Sequence, residues 1–182
     1  MGLLIDVEKN KATVFALLGG AQRDHSKLSA FLKESDFFTA PASTSFHLSV
    51  PGGLVQHSLN FIEALHLLND KFDAKLSHES INFVGVCHDL CKVGLYKKNA
   101  GYKQYFKDET LPLGHGEKSL FIANKLVDLS HAEALMIRWH MGLWPQDNFF
   151  KESTDISRLY PGTHLAYFAD HLATLYLDTK YV

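Results

Sequence analysis

One short stretch of the chain combines residue types that can do chemistry with an apolar setting. Between Ile81 and Val93 the sequence is largely apolar, yet it carries the adjacent pair His88 and Asp89. The apolar spacing predicts a buried core helix, and burying an imidazole or a carboxylate without a partner costs free energy. A metal ion removes that cost, because neutral imidazole and ionised carboxylate are both metal ligands. One such pair cannot fill a coordination sphere, so other segments must supply further ligands.

Four more residues place a metal-binding side chain on a predicted helix among apolar residues. His57 lies in the first turn of an amphipathic helix, and His115 begins a helix between two glycines. His140 lies in the last turn before Gly142, and Asp170 sits in an apolar helix that would leave its charge unpaired. One buried histidine bonded to a backbone carbonyl would be ordinary. The ordered set is what indicates a metal site: His57, His88, Asp89, His115, His140 and Asp170.

This ordered set resembles the HD-domain superfamily of metal-dependent phosphohydrolases. The H…HD…D pattern and the two additional histidines of the dinuclear subgroup all have counterparts here: His57, His88, Asp89 and Asp170, then His115 and His140. The run HDLCK stands where many members have HDxGK, and the similarity extends over residues 52 to 177. The run PGGLVQHS is most similar to HD domains attached to 3′-to-5′ exoribonucleases and to their free-standing phage and bacterial relatives.

The resemblance implies that the six residues hold two divalent ions that share the carboxylate of Asp89. The other ligands would divide between a first ion (His57, His88, Asp170) and a second ion (His115, His140). Two ions about 3.5 to 4 Å apart would activate a bridging water and neutralise the phosphoryl oxygens under attack. Mixed imidazole and carboxylate ligation suits Mn, Fe, Ni, Co or Zn and does not choose among them.

Other residues are candidates for catalysis and substrate binding. Lys92, one turn after His88, can offer a cation to phosphate, so Asp89 and Lys92 are the expected catalytic pair. Lysines and aromatic residues alternate between residues 92 and 107, a mixture that can meet phosphate and stack on a base. A solvated hairpin whose aromatic side chains pack on the body is the alternative. The candidate substrate contacts are Lys92, Lys98, Tyr102, Lys118, and the amides of Gly52 and Gly53.

These side chains need a scaffold, and the apolar periodicity is helical over most of the chain. The predicted helices cover residues 7–18, 26–32, 54–72, 77–93, 114–129, 130–141 and 163–176, with a hairpin between 95 and 106. Residues 143–162 are predicted to be a long loop and a candidate lid. The expected fold is an all-α HD-type bundle of seven or eight helices with one small β-hairpin. We expect a single domain over 1–182, with N-terminal helices and a leading loop at 1–50 and the metal-binding core at 52–177.

Composition limits the partners that the chain can have. Eighteen Lys and Arg against 20 Asp and Glu give a formal net charge of −2, which argues against binding of duplex nucleic acid through a broad basic face. The two cysteines, Cys87 and Cys91, suit reduced core thiols, and no segment has the pattern of a signal peptide or membrane span. We expect a soluble, cytoplasmic protein; the sequence leaves its oligomeric state open.

Four functions fit these residues. The first is hydrolysis of a phosphoester bond in a nucleotide-type substrate, and the second is 3′-to-5′ exonuclease or phosphodiesterase activity on short single-stranded RNA or DNA. The third is a phosphatase of another small metabolite, and the fourth is a catalytically idle nucleotide-binding module. No ligand of the pattern is missing, which disfavours the idle module. Of the remaining histidines, His47 is the first to reconsider, because it lies in the loop leading to His57.

Overall fold

The computed structural model describes residues 2–98, 105–142 and 150–181, and within these ranges it contains eight α-helices and one two-stranded antiparallel sheet. The helices are α1 (Val7–Gly19), α2 (Ser26–Glu34), α3 (Gly53–Phe72), α4 (His78–Cys87), α5 (His115–Ala123), α6 (His131–Trp139), α7 (Phe150–Leu159) and α8 (Gly162–Leu172). The strands are β1 (Tyr96–Lys98) and β2 (Tyr105–Lys107). The prediction of an all-α bundle with one small hairpin is confirmed.

The long helix α3 lies at the centre of the bundle. Its 20 residues carry apolar side chains around most of the helix, as expected of a helix that is covered on several sides. It packs against α1, α4 and α8, while α6 packs against α4, α5 and α8. The first turn of α3 and the adjacent ends of α4, α5, α6 and α8 therefore lie close together.

The prediction of one continuous helix through residue 93 is wrong. Helix α4 ends at Cys87; His88 and Asp89 form a turn, and a single 3₁₀ turn follows over Leu90–Lys92. Consecutive side chains on an α-helix point about 100° apart, so a continuous helix would direct His88 and Asp89 away from each other. Ending the helix at this point lets both side chains reach the same site.

The described part of the segment predicted as a loop over 143–162 is mostly helical, so the loop prediction is wrong there. Helix α7 occupies Phe150–Leu159, and residues 143–149 lie outside the described residues. Ile156 and Leu159 are three positions apart with polar residues around them, which is the pattern of a surface helix. Because this apolar pattern has only two described positions, the sequence did not predict a helix here.

The chain ends in an irregular helical segment that returns to α3. After α8 comes a π-helical stretch, Ala173–Leu177, and then a 3₁₀ turn, Asp178–Lys180, which packs against α3. A π-helix closes i→i+5 hydrogen bonds, so it turns through a smaller angle per residue than an α-helix. No helix among the described residues is both long and apolar enough to cross a membrane.

The hairpin lies where it was predicted, and its two strands pair antiparallel. Tyr96 pairs with Lys107 and Lys98 with Tyr105. The predicted turn and Tyr102 fall within residues 99–104, which lie outside the described residues.

A partly buried ion-pair network joins the loop after α1 to α4 and α6. Arg23 donates from Nη1 and Nη2 to the two carboxylate oxygens of Glu133, at 2.9 and 2.7 Å, and from Nε to Glu79 at 2.6 Å. The Glu133 side chain is only 1% exposed. Burial raises the pKa of Glu133, but the bonds from Arg23 outweigh it and hold the pKa below its ordinary value of 4.5. The two bonds from Arg23 therefore offset much of the free energy needed to bury this carboxylate.

Replacing Arg23 by Met is expected to lower the free energy of unfolding by about 3 kcal/mol, because Glu133 is left buried without its cation. The matched control is Arg158→Met, which removes an arginine paired with Asp155 on the exposed surface and should cost less than about 1 kcal/mol. Urea unfolding at pH 7 measures both. Since the Glu133 pKa is depressed on folding, the difference between wild type and Arg23→Met should be full at neutral pH and shrink as the pH falls below 4.5. Equal losses in the two variants would contradict a structural role for this network.

Candidate functional site

The six predicted ligands converge where the ends of five helices meet. They form two groups, and within each group the potential ligand atoms lie within 4.8 Å of one another. We call these the first triad (His57, His88, Asp170) and the second triad (Asp89, His115, His140). The two oxygens of Asp89 face different triads: Oδ2 lies 3.5 Å from Nε2 of both His57 and His88, and Oδ1 lies 2.6 Å from His115 Nε2. The arrangement agrees with the division of ligands expected for two ions.

One histidine in each triad is neutral and presents an unprotonated nitrogen to the site. His88 Nδ1 donates to the Gly85 carbonyl oxygen at 2.8 Å, and His140 Nδ1 donates to the Ile137 carbonyl oxygen at 2.7 Å. Burial lowers the pKa of His88 to about 3 and lowers that of His140 as well. With the proton on Nδ1, each ring directs the lone pair of Nε2 into the site.

These lone pairs face negative charge. His88 Nε2 lies 3.5 Å from Asp89 Oδ2, and His140 Nε2 lies 3.7 Å from Asp89 Oδ1. His88 Nε2 is buried and makes no hydrogen bond. Opposed lone pairs in a buried site are unfavourable unless a positive charge lies between them. A metal ion in each triad would satisfy these atoms, so the donor set fits one.

The other histidine of each triad is cationic. Burial lowers the pKa of His57, but ion pairing and hydrogen bonding with Asp170 and Asp178 outweigh it and raise the pKa to about 9. Burial likewise opposes the charge on His115, while Asp89 and a contact between Nδ1 and Cys91 Sγ at 3.4 Å raise its pKa to about 10. Each triad thus holds one proton on a nitrogen that a metal ion would need.

The carboxylates of the site stay ionised despite burial. Burial alone would raise the pKa of Asp89, but the charges of Lys92 and His115 hold it well below its ordinary value. Lys92 Nζ lies 2.5 Å from Asp89 Oδ2, and the pKa of this buried lysine is raised by the same pairing, which overcomes its own desolvation. The pKa of Asp170 is lowered by His57 in the same way. A fixed pair of negative and positive charges therefore lies at the centre of the site.

Sequence reasoning missed one carboxylate, Asp178, which lies behind the first triad. It accepts hydrogen bonds from His57 Nδ1 at 2.9 Å, His47 Nδ1 at 2.6 Å and Asn60 Nδ2 at 2.7 Å. Burial raises the pKa of Asp178, but the bonds from His47 and His57 lower it to about 2. A carboxylate in this position fixes the ring orientation of a ligating histidine.

A cavity of about 290 Å³ opens above the triads. Its lining combines charged and imidazole groups with the side chains of Met141, Thr174 and Leu175. The full lining is His47, Asp89, Lys92, His115, Met141, Asp170, His171, Thr174 and Leu175. Lys92 is the one predicted substrate contact that borders this cavity in the part of the chain that the structure describes.

The other predicted substrate contacts have local explanations. A Cβ atom at Gly52 would meet Val7, and one at Gly53 would meet the backbone of Leu48, so both glycines serve close packing rather than lining the cavity. Lys118 pairs with Glu109 at 2.6 Å.

Lys98 lies over the Tyr105 ring, 5.4 Å from its centroid, and neither residue lines the cavity. Among the described hairpin aromatics, Tyr96 is buried and Phe106 is 42% exposed, so the alternative of aromatic side chains packed on the body holds for Tyr96 and not for Phe106. Tyr102 lies outside the described residues.

Comparison of the chain with protein-family models, with curated proteins and with solved structures gives no match. Function is therefore inferred from the chemistry of the residues themselves.

Addition of Mn²⁺ or Ni²⁺ to the metal-free protein at pH 7 is expected to release close to two protons per chain, one from His57 and one from His115. Both have raised pKa values, about 9 and about 10, so both are protonated at pH 7 and must lose the proton before Nε2 can coordinate. Apparent affinity should rise as the pH rises toward 9 and fall as it drops. Calorimetry in two buffers of different ionisation enthalpy counts the protons.

A matched control is His171→Ala, which removes a cavity histidine that belongs to neither triad. It should release the same number of protons as wild type, whereas His115→Ala should release about one. Metal binding without proton release would show that these two nitrogens are not displaced from their carboxylates.

Proposed function

We propose that this chain is a metal-dependent phosphohydrolase that cleaves a phosphoester bond in a nucleotide-type substrate. The observation that carries the proposal is the pair of triads on either side of Asp89, with imidazole lone pairs turned toward its carboxylate and a lysine beside it. This set of buried groups is costly without cations and suits two of them. The resemblance to HD-domain phosphohydrolases, which is carried by the same six residues, also supports the proposal.

The donor set of imidazole nitrogens and carboxylate oxygens suits Mn, Fe, Ni, Co or Zn. When bound, two such ions would supply an activated water and neutralise charge on the phosphoryl group. Asp89 would be shared between the two ions, and Asp178 would keep the His57 ring oriented through its bond to Nδ1.

Lys92 is the residue of this chain best placed to bind the phosphoryl group. Its ammonium borders the cavity and is held by Asp89 at 2.5 Å, so its position is set before a substrate arrives. A positioned cation near a phosphoryl oxygen stabilises the negative charge that this group carries through the reaction. Asp89 and Lys92 therefore act as one unit, with the carboxylate on the metal side and the ammonium on the substrate side.

The cavity favours a small substrate. Its volume of about 290 Å³ lies at the lower end of the range for small-molecule sites, and Met141 and Leu175 contribute apolar side chains to its lining. A phosphate would lie against Lys92, and an apolar or aromatic group would contact Met141 or Leu175. One nucleotide fits this space better than a long strand.

The metal content of three proteins tests the two-ion arrangement. Wild type is expected to hold about two ions per chain, His140→Ala about one, and Asp89→Ala almost none, because Asp89 contributes to both triads. Elemental analysis after purification with added Mn²⁺ or Ni²⁺ measures this. Asp89→Asn keeps the side-chain shape and covers the case in which the alanine variant fails to fold. Asp155→Asn, at an exposed position on α7, is the matched control and should keep both ions.

A wild type with one ion and an unaffected His140→Ala would contradict the two-ion arrangement and leave only the first triad as a metal site.

Activity is tested with bis(p-nitrophenyl) phosphate and a panel of mononucleotides, cyclic nucleotides and short oligonucleotides, each with Mn²⁺, Ni²⁺, Co²⁺ or Mg²⁺. We expect metal-dependent turnover of small nucleotides and a loss of at least about 100-fold in kcat for Asp89→Asn, since the water and the phosphoryl group lose their shared support. Turnover of oligonucleotides alone would favour the exonuclease function instead. Bound metal without turnover of any compound would favour an idle binding module.

A further inference from the structure

A chain of buried amide side chains connects helix α1 to the back of the first triad. Asn10 of α1 donates from Nδ2 to Gln56 Oε1 at 2.8 Å, and Gln56 Nε2 donates to Asn60 Oδ1 at 2.9 Å. Asn60 Nδ2 then donates to Asp178 Oδ1 at 2.7 Å. The three amide residues are between 4% and 7% exposed, so the chain lies inside the bundle. Hydrogen bonds therefore run from α1 to the carboxylate that contacts His57.

The carboxylate at the end of this chain fixes the direction of every bond in it. An ionised carboxylate can only accept hydrogen bonds, so Asn60 must turn its NH₂ group toward Asp178 and its oxygen toward Gln56. Gln56 must then donate to that oxygen, and its own oxygen accepts from Asn10. Each amide is therefore held in one of its two orientations by the neighbour that lies closer to Asp178.

Asp178 depends on the bonds of its side chain for a fixed position. It begins a single 3₁₀ turn, Asp178–Lys180, and such turns have poorer hydrogen-bond geometry than an α-helix. Asn60 holds Oδ1, which stops the carboxylate from rotating and keeps Oδ2 on His57 Nδ1 at 2.9 Å. With Nδ1 fixed, His57 directs Nε2 toward Asp170 Oδ1, 3.0 Å away in the first triad.

Packing alone does not account for these amides. Replacing a set of hydrogen-bonded buried groups by apolar side chains of the same shape is often nearly neutral or stabilising, so a polar chain in a core adds little to stability. Asn69, further along α3, shows the contrast. Its side chain bonds only locally in this respect, to the backbone of Leu76 in the loop after α3, at 2.9 and 3.3 Å. The bonds of Asn60 lead instead to the carboxylate behind a candidate metal ligand.

We infer that Asn60 is a positioning residue for the first triad, held in its orientation by Gln56 and Asn10, an inference that rests on metal binding in the proposed function. Asn60 fixes Asp178, Asp178 fixes the His57 ring, and the ring presents Nε2 to the triad. The outer partners of a ligating histidine set its orientation and with it the affinity for the metal. Helix α1, which supplies none of the six candidate ligands, thereby contributes to the affinity of the site.

The test measures the metal affinity of the first triad by itself. The His140→Ala protein keeps that triad complete, so calorimetry with whichever of Mn²⁺ and Ni²⁺ binds more tightly gives its Kd. Adding Asn60→Ala is expected to raise this Kd by about tenfold or more, as removal of an outer partner of a ligand does. Adding Gln56→Met instead leaves Asn60 in place but frees its amide to turn over, and should raise the Kd by about threefold.

Asn69→Ala in the same parent is the matched control, since it removes a buried asparagine of α3 that makes two hydrogen bonds away from the site. Thermal unfolding without metal should show a lower midpoint for both alanine variants. The Kd of the Asn69 variant should nevertheless stay within about twofold of the parent value, because its effect on stability is independent of the site. A rise in Kd confined to the Asn60 variant separates positioning from stability.

An unchanged Kd with Asn60→Ala would overturn the inference, and so would an equal rise with Asn69→Ala. If Asn60→Ala fails to fold, an unchanged Kd with Gln56→Met overturns it. A parent protein that binds neither metal would overturn the proposed function and the inference with it. Metal binding without turnover of any ester would overturn the phosphohydrolase function alone, since the quantity measured here is a Kd.

Discussion

Burial of the Asp89 carboxylate among histidines is the constraint on which the site depends. Each of its oxygens faces a different triad, and Lys92 supplies it with a close permanent cation. The neutral rings of His88 and His140 add lone pairs rather than protons. Protons on His57 and His115 balance the remaining charge, and metal ions could take their place. Charge balance therefore explains why these side chains lie together in an otherwise apolar bundle.

The helices around this carboxylate are arranged to meet it at their ends. Helix α3 brings His57 in its first turn, α4 stops just before His88, and α8 brings Asp170. The irregular C-terminal segment then returns Asp178 to the back of His57, where it also holds His47. The Arg23 network stabilises α4 and α6 from the far side of the bundle, so stability and chemistry depend on different charges.

Much of the candidate site was predictable because most of its side chains are polar residues in apolar helical segments. A histidine or aspartate at an apolar helical position needs a partner, and this local rule, together with the order of the residues along the chain, pointed to the six members of the two triads. The substrate contacts had no comparable signal, since glycines and surface lysines have several uses. Gly52 and Gly53 allow backbone packing, and Lys118 pairs with Glu109, none of which local sequence distinguishes from ligand binding.

The sequence by itself determined the helical class, the hairpin and the six residues of the triads, because apolar periodicity and buried polar groups are local properties. Tertiary structure alone decided how those residues divide around Asp89, since the division depends on which helix ends meet. It also decided the positions of Asp178 and His47. Asp178 follows Asp170 by eight residues, so on a continuous α-helix the two side chains would lie on different faces of the helix. The π-helical stretch between them turns less per residue, and Asp178 as well as Asp170 bonds to His57. His47 comes from a loop without periodicity, so only its contacts with Asp178 and the cavity reveal it.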